Sequence, residues 1–533
     1  MLRIALVLVF AAAGSTSPAE AIAQTAQIQG QRAAVDDVLI EAGRLHAGRR
    51  FRIVPMQDGV PAPALAGEYD RLDGVLNGNG RALVQFDRSL VGRTQVEHSV
   101  RIAGLPAGQG RVTVSSSSSA VLGTTIAPAG TVGGPIQASP LVRVTLPQDG
   151  AVVGSPSVDV RGRLAGPLNA ANAEVRVNGQ LAEVFPSTSG QGRFLLANFE
   201  ITNGSNAIVV EASIPGGPQS RQDIAVSLDR LTSNNVAVRG DLAYAARGTQ
   251  GFAVMDLRTR EYETFSGPAG AARVDDLAID GDLLFLLDGA SGGNLSVWSL
   301  ADPEQPALVS GPVSVPVSPF AGVSARSGRV VVSGGTSLLT VRSYTPQGQL
   351  GTPVASIDLG IGQPDVLVSD DGQRAFVSTD FAGTFGGAGF GISTIQLNAP
   401  PTAPNLLSRT GLVGSGFTGG SQGPANFPIE SAEFDGTLVT AHGGGLTRIT
   451  AGGQVAASLN LGFPAVNVDD GPDSVFVVGT GRRLAEVALP SVGGANLLST
   501  QNFPGPGAFT SVAAHPIFLA IASNNGGLRV IRR

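Results

Sequence analysis

Three acidic residues stand at similar distances ahead of a turn dipeptide that recurs in the second half of the chain. They are Asp275, which has Asp276 beside it, Asp365 and Glu430, each about five to seven positions before an Asp-Gly pair. Carboxylate oxygens are the ligands that Ca²⁺ prefers, so strands that brought the three together would form a cation site. The alternative is that these carboxylates solvate loop ends or cap turns, which requires no ligand.

The composition excludes many other kinds of site. The chain of 533 residues has no Cys, and because it contains no Lys its 35 basic residues are all Arg. Thiolate nucleophiles, Cys-based metal sites, P-loop lysines and Schiff-base lysines are therefore excluded. Four His leave little room for a multi-His centre, and a net charge of −6 argues against nucleic acid as a partner. We expect no cofactor, with Ca²⁺ at the carboxylates as the one exception to test.

Residues 1–23 have the pattern of a secretory signal peptide. Arg3 precedes an apolar run, 4–13, which is followed by two overlapping Ala-x-Ala sites. The run is about half as long as a membrane span, which argues against a transmembrane anchor. A lipoprotein would need a Cys. We therefore predict a periplasmic or extracellular protein without an anchor.

Residues 234–533 contain a repeat in which a turn is followed by an apolar run and then by further strands. Most successive turns lie about 40–50 residues apart, which is the period of a propeller blade. The pattern predicts a seven-bladed β-propeller, with a β-solenoid as the alternative. The seven turns are Gly240-Asp241, Asp280-Gly281, Ser327-Gly328, Asp371-Gly372, Asp435-Gly436, Gly471-Pro472 and His515-Pro516.

The seventh repeat ends after its third strand, because the chain ends there. We predict that blade seven stays three-stranded, or gains only a short pairing from 230–232, while 224–228 remains in the preceding domain. On this interpretation, deletion of residues 24–220 would leave a folded propeller.

Two further β-sandwich domains are predicted ahead of the repeats, so the whole chain is expected to be all-β. Residues 32–115 contain short alternating runs separated by Gly and Pro, and 116–139 form a Ser/Gly/Pro-rich linker. Residues 140–229 contain seven short strand patterns, with Asn178-Gly179 as a strong hairpin signal.

Two families resemble parts of this sequence. The segments VTLPQDGAVVGSPSVDVRG, VRVNGQ and FEITNGSNAIVVEAS make 140–229 similar to bacterial immunoglobulin-like modules of the glucodextranase B-domain type. LSVWSLADPEQP at 295–306 resembles the LVIVD-type repeat of secreted bacterial propellers, and 364–372 resembles a corner of lactonase-like propellers. The first resemblance implies a spacer or binding module. The second implies that a Ca²⁺-dependent hydrolase is an alternative function.

The sequence favours an exported, non-enzymatic protein whose propeller binds a protein or a glycan. Asp275, Asp365 and Glu430 are the predicted ligand-binding residues at the mouth of the central channel. A lactonase-like metal-dependent hydrolase and a structural component of the cell surface or matrix are the alternatives. The hydrolase requires the three carboxylates to converge within about 5 Å of one another. We expect His442 to be a polar strand end and His515 a turn residue.

Overall fold

The computed structural model describes most of the chain from residue 141 onward and parts of what precedes it. Among the residues it describes, the regular structure is β-strand apart from a short 3₁₀ helix, Gly166–Asn169, so the all-β prediction is confirmed. Within the described ranges, no helix is long and apolar enough to cross a membrane. These ranges are 6–7, 21–28, 35–41, 48–57, 60–61, 73–76, 80–87, 96–102, 111–116, 141–186, 191–267, 273–289, 293–316, 322–333, 338–359, 365–380, 390–397, 404–411, 431–443, 445–450, 453–471, 474–490 and 494–533.

The chain divides into two compact units. The second unit contains the repeats, Ser227–Arg533, together with two earlier segments, Val152–Val158 and Glu200–Gly204. The first unit contains the rest of the chain up to Val226. Two segments of the 140–229 domain thus belong to the compact unit of the repeats.

The first nine strands form two antiparallel sheets. Their bounds are β1 (Leu6–Val7), β2 (Ala21–Ile28), β3 (Val35–Glu41), β4 (Arg50–Gln57), β5 (Val60–Pro61), β6 (Asp73–Val75), β7 (Arg81–Asp87), β8 (Val96–Ile102) and β9 (Arg111–Ser116). One sheet has the order β1-β2-β8-β4-β5 with β6 beside β4, and the other has the order β7-β3-β9. The first sheet begins ahead of residue 32 and includes part of the predicted signal peptide. Residues 117–139 of the predicted linker lie outside the described residues.

The next nine strands also form two sheets. They are β10 (Val142–Leu146), β11 (Ala151–Val153), β12 (Ser157–Ala165), β13 (Glu174–Val177), β14 (Gln180–Leu181), β15 (Glu183–Phe185), β16 (Gln191–Glu200), β17 (Gly204–Ser213) and β18 (Gln219–Leu228). The sheet orders are β10-β12-β16-β15 and β11-β18-β17-β13-β14. The predicted hairpin is confirmed: Asn178 and Gly179, with φ of 45° and 81°, connect β13 to β14.

The described residues after 234 form seven consecutive antiparallel sheets, which we call blades one to seven. Strands follow one another from the inner to the outer edge of each blade. They are β19 (Asn235–Arg239), β20 (Leu242–Ala246), β21 (Phe252–Asp256) and β22 (Tyr262–Phe265); β23 (Asp276–Asp280), β24 (Leu283–Leu287), β25 (Asn294–Ser299) and β26 (Ala307–Ser314); β27 (Val323–Arg326), β28 (Arg329–Ser333), β29 (Leu338–Tyr344) and β30 (Leu350–Asp358); β31 (Val366–Val368), β32 (Arg374–Asp380), β33 (Phe390–Gln396) and β34 (Asn405–Gly411); β35 (Ser431–Phe434), β36 (Thr437–His442), β37 (Gly445–Ile449) and β38 (Val455–Leu459); β39 (Ala465–Asp470), β40 (Val475–Gly479), β41 (Arg483–Ala488) and β42 (Asn496–Asn502); and β43 (Phe509–Ala514), β44 (Phe518–Ser523) and β45 (Arg529–Arg532).

The blades close into a ring. The first strand of each blade lies beside the first strand of the next, and β43 of blade seven lies beside β19 of blade one. Apolar clusters fill the spaces between neighbouring blades; between blades one and two, for example, Tyr244 and Phe252 pack with Trp298. Each sheet thus has both faces covered by its neighbours, which is the physical reason for closure. The propeller prediction is confirmed.

The outer edge of blade seven is covered by two segments from earlier in the chain. Its three described strands are β43, β44 and β45. The Leu528 N–H donates to the Leu231 carbonyl at 2.6 Å, and the Val530 N–H donates to Ser155 Oγ at 3.0 Å. The short pairing from 230–232 was predicted from the sequence. The contribution of Ser155 was not.

Arg260 of blade one binds residues 154–157, which include Ser155 and which we call the covering segment. Its side chain is fully buried, and its Nε donates to the Ser157 carbonyl at 3.2 Å. Its own carbonyl accepts from the Gly154 N–H at 2.9 Å, and its guanidinium lies 4.8 Å from the centre of the Phe518 ring. Residues 154–157 therefore belong structurally to the junction of blades seven and one.

Candidate functional site at the channel end

Polar side chains stand at several of the positions where the inner strands begin. Asn235 and Asp276 are the first residues of β19 and β23, and Asp365 directly precedes β31. Asn467 and Ser511 are the third residues of β39 and β43. We call these five residues the channel-end set, because the inner strands surround the central channel.

Hydrogen bonds connect four members of the channel-end set across successive blades. Asn467 Nδ2 donates to Ser511 Oγ at 3.5 Å, and Ser511 Oγ donates to Asn235 Oδ1 at 2.7 Å. Asn235 Nδ2 donates in turn to Asp276 Oδ1. The connection runs from blade six through blades seven and one to blade two, and so crosses the point at which the ring closes.

The two carboxylates of the set also bind the backbone of the next blade. Asp276 Oδ2 accepts from the Val323 N–H at 2.7 Å, while Asp276 Oδ1 accepts from the Leu277 N–H at 2.9 Å. Asp365 accepts a backbone hydrogen bond from Ser431 of blade five. Both carboxylates therefore hold adjacent inner strands together, which is the structural alternative considered from the sequence.

The charge of Asp276 acts on Asp365. Burial raises the pKa of Asp276 to about 6. Burial and repulsion from Asp276 raise the pKa of Asp365 to about 7. Both residues are partly exposed. Near neutral pH the pair offers a carboxyl O–H donor as well as carboxylate acceptors.

The carboxylate of Asp275, a predicted site residue, is hydrogen-bonded to groups outside the channel-end set. Its carboxylate accepts from Arg273 Nε at 2.7 and 2.6 Å, and from the Gly289 N–H at 2.9 Å. In the described structure Asp276, its neighbour in sequence, is the residue that interacts with Asp365. Asp276 therefore takes the position in the candidate site that the sequence analysis gave to Asp275.

Glu430, the third predicted site residue, lies outside the described residues. Among the residues that are described, no group of three or more His, Asp or Glu side chains is arranged to hold a metal ion. A cation at Asp276 and Asp365 would also have to replace backbone hydrogen bonds that stabilise the ring. The two carboxylates alone fit a Ca²⁺ site poorly, because Ca²⁺ takes about six to eight oxygen ligands.

We expect added Ca²⁺ to leave the melting temperature unchanged. A ligand that binds only the folded protein must stabilise it, so thermal unfolding with and without Ca²⁺ measures binding directly. A rise of several degrees that disappears in Asp365→Ala would contradict this expectation and favour the hydrolase.

The opposite end of the channel, where the inner strands end, carries a second group of acidic residues. Arg326 Nε donates to Asp370 Oδ1 at 2.9 Å, and the Asp370 N–H donates to Glu433 Oε2 at 2.8 Å. Burial and the neighbouring Asp470 raise the pKa of Asp469 to about 8. None of these residues was predicted as a site residue from the sequence, although consecutive aspartates directly before a predicted turn were an available signal.

The two histidines of the propeller are buried. His442 ends β36, and its Nε2 lies 2.8 Å from Thr447 Oγ1; burial lowers its pKa to about 4. His515 accepts from the Ile517 N–H at 3.2 Å in the last turn, and burial followed by nearby arginines lowers its pKa to about 3. Both occupy the strand-end and turn positions predicted for them, and both are neutral at pH 7.

No protein-family model matches the chain, and no relative was found among curated proteins. Similar solved structures include the computationally designed Ika8 protein, with 11% identity over 61% of this chain and 93% of that chain, at a TM-score of 0.39. A chain of the mitotic checkpoint complex has 10% identity over 57% and 90%, at 0.41. The WD40 repeats of RRP9 have 11% identity over 57% and 95%, at 0.38. Likenesses of this degree assign no function, which is therefore argued from the residues themselves.

Proposed function

We propose that this chain is an exported, non-enzymatic binding protein whose propeller engages a protein or glycan at the channel-end set. The observation that carries the proposal is the pair Asp276 and Asp365, which is partly exposed where the inner strands begin. A partly protonated pair complements the carbonyl and hydroxyl groups of a peptide or a sugar, because it both donates and accepts hydrogen bonds.

Binding is favoured over hydrolysis by the partners that the carboxylates already have. Asp276 accepts hydrogen bonds from Asn235, Leu277 and Val323. A hydrolase would need one of these groups to activate water or hold a metal ion, and either role would remove support from the ring. A ligand that only adds hydrogen bonds at the exposed part of the pair leaves the ring intact.

Export is proposed from the signal-peptide pattern, and the domains ahead of the propeller are proposed as spacers. The similarity of 140–229 to immunoglobulin-like modules, and of 295–306 to LVIVD-type repeats, supports a secreted bacterial protein of this kind. Mass spectrometry of the exported protein should find its N-terminus at Ile22 or Gln24. An intact Met1 on the exported protein would contradict export through signal cleavage.

The binding proposal is tested by probing the mature protein with a glycan array and with a displayed peptide library. We expect to find a ligand that binds the wild type. The control is Asp302→Ala, at an exposed turn of blade two, which should bind the same ligand equally well. Asp365→Ala should weaken that binding at least about tenfold, because a hydrogen bond to a charged group contributes roughly 1.5–3 kcal/mol.

Three outcomes would count against the proposal. Equal binding by the wild type and Asp365→Ala would show that the ligand binds elsewhere. Ca²⁺-dependent lactone hydrolysis that is lost in Asp365→Ala would establish the hydrolase instead. Concentration-dependent self-association without any ligand, seen by sedimentation, would favour the structural component.

A further inference from the structure

Three arginines interact electrostatically at the junction of blades six and seven. Arg482 lies in the turn between β40 and β41, Arg529 is the first residue of β45, and Arg230 precedes blade one. Arg482 and Arg529 are only 5% and 3% exposed. All three belong to the same compact unit, as does Glu200, the acidic residue beside them.

Aromatic rings fix the orientation of the two buried guanidinium groups. Arg482 Cζ lies 4.9 Å from the centre of the Phe509 ring, and Arg529 Cζ lies 5.0 Å from that of Phe503. The two rings pack against each other, with 5.7 Å between their centres. Stacking of this kind holds a planar guanidinium in place and leaves the N–H groups at its edge available for hydrogen bonds.

The charges at this junction are not balanced. Arg529 pairs with Glu200, whereas Arg482 Nη1 donates to the uncharged Pro506 carbonyl. Among the described residues whose charges act on Arg482, two are arginines and one, Glu200, is a carboxylate. Burial, and then repulsion from Arg529 and Arg230, lowers the pKa of Arg482. Leaving buried charges without a counter-charge is costly, so this arrangement calls for a further negative group.

Unused donors point to the same conclusion. Within the described part of the chain, the buried Nε atoms of Arg230, Arg482 and Arg529 have no hydrogen-bond partner. At this junction the Glu200 side chain is 47% exposed and Arg230 is partly exposed.

We propose that Arg230, Arg482 and Arg529 form a binding site for an oxyanion: a sulfate, phosphate or carboxylate group. Such a group supplies the missing negative charge and accepts the unused N–H donors in the geometry that guanidinium groups favour. The oxyanion comes either from a free inorganic ion or from the acidic substituent of a sugar. This site is separate from the channel-end set and does not depend on the function proposed there.

The test is isothermal titration of the full mature protein with sodium sulfate, sodium phosphate and sodium glucuronate, at ionic strength matched with sodium chloride. We expect saturable binding of at least one of these ions by the wild type. Arg482→Gln and Arg230→Gln should each weaken it at least about tenfold, the loss expected for one charge-assisted interaction. Binding of glucuronate identifies a sugar acid as a source, and binding of sulfate or phosphate alone identifies an inorganic ion.

Arg483→Gln is the matched control, because Arg483 is the next residue but is exposed and donates to the Gly462 carbonyl at 3.0 Å. It should bind the ion like the wild type. Arg230→Gln keeps the test valid if Arg482→Gln fails to fold, since Arg230 is partly exposed. The proposal is overturned if no ion binds above the chloride background, or if the Arg230 variant and the control bind equally well.

Discussion

A chain that lacks residues 24–220 is expected to melt roughly 5–15 °C below the mature protein and to aggregate on heating. The deletion removes Ser155, which accepts from the Val530 N–H, and Ser157, which accepts from the fully buried Arg260. It also removes Glu200, the carboxylate paired with Arg529. The outer strand of blade seven would then present unpaired backbone groups that can join other chains.

A shorter deletion provides the control. Removing residues 24–139 leaves 152–158 and 200–204 in place, so the unfolding of the propeller should occur within a few degrees of that in the mature protein. Ser155→Ala alone should give a smaller loss, because one buried N–H loses its acceptor at a cost of about 1–3 kcal/mol. If the chain without 24–220 melts like the mature propeller, the covering segment is dispensable and the deletion behaves as the sequence alone suggested.

The second large effect is on pH dependence: the free energy of unfolding should fall by roughly 1–3 kcal/mol between pH 6.5 and pH 9. The pKa values of Asp276, Asp365 and Asp469 are raised to about 6, 7 and 8 in the folded protein. The folded state therefore holds protons that the unfolded state has released. Raised pKa values of this kind stabilise the protein at low pH, and the stabilisation is lost as pH rises through the folded values.

The histidines act in the opposite direction below pH 6.5. Their pKa values are lowered to about 4 for His442 and about 3 for His515, so the unfolded state takes up protons first as the pH falls. Stability should therefore rise less steeply below pH 6 than the aspartates alone would make it. Denaturant unfolding across this range measures the curve. Asp365→Asn should flatten its alkaline side, whereas Asp302→Asn should not, and a wild-type curve that rises from pH 6.5 to pH 9 would contradict the assignment.

The repeat could be predicted because its turns have a local chemical requirement. Asp435-Gly436, for example, connects two strands with both residues at positive φ, 50° and 67°, which favours Gly and tolerates Asp. The apolar runs after these turns became the buried second strands of the blades. Sequence reasoning also placed a carboxylate at the start of the right inner strand, but it selected Asp275 where Asp276 interacts with Asp365.

The remaining features depend on contacts between residues that are distant in sequence. Neighbouring residues at the start of a strand point to opposite sides, so an error of one residue changes which side chain meets the next blade. Composition does not indicate which of the two residues that is. The arginine site combines Arg230 with Arg482 and Arg529, which only closure of the ring brings together. Ser155 covers blade seven from a different predicted domain, so no local pattern indicates its role.

The central claim, that Asp276 and Asp365 form a coupled pair at the channel end, is tested most directly by a carbon-13 NMR titration of the aspartate side chains. The Asp365 carboxyl should titrate near pH 7, and in Asp276→Asn its pKa should fall, because the repelling charge is removed. If Asp365 titrates near pH 4 in the wild type, or if its pKa is the same in Asp276→Asn, the two groups are not coupled and the proposed binding site loses its basis.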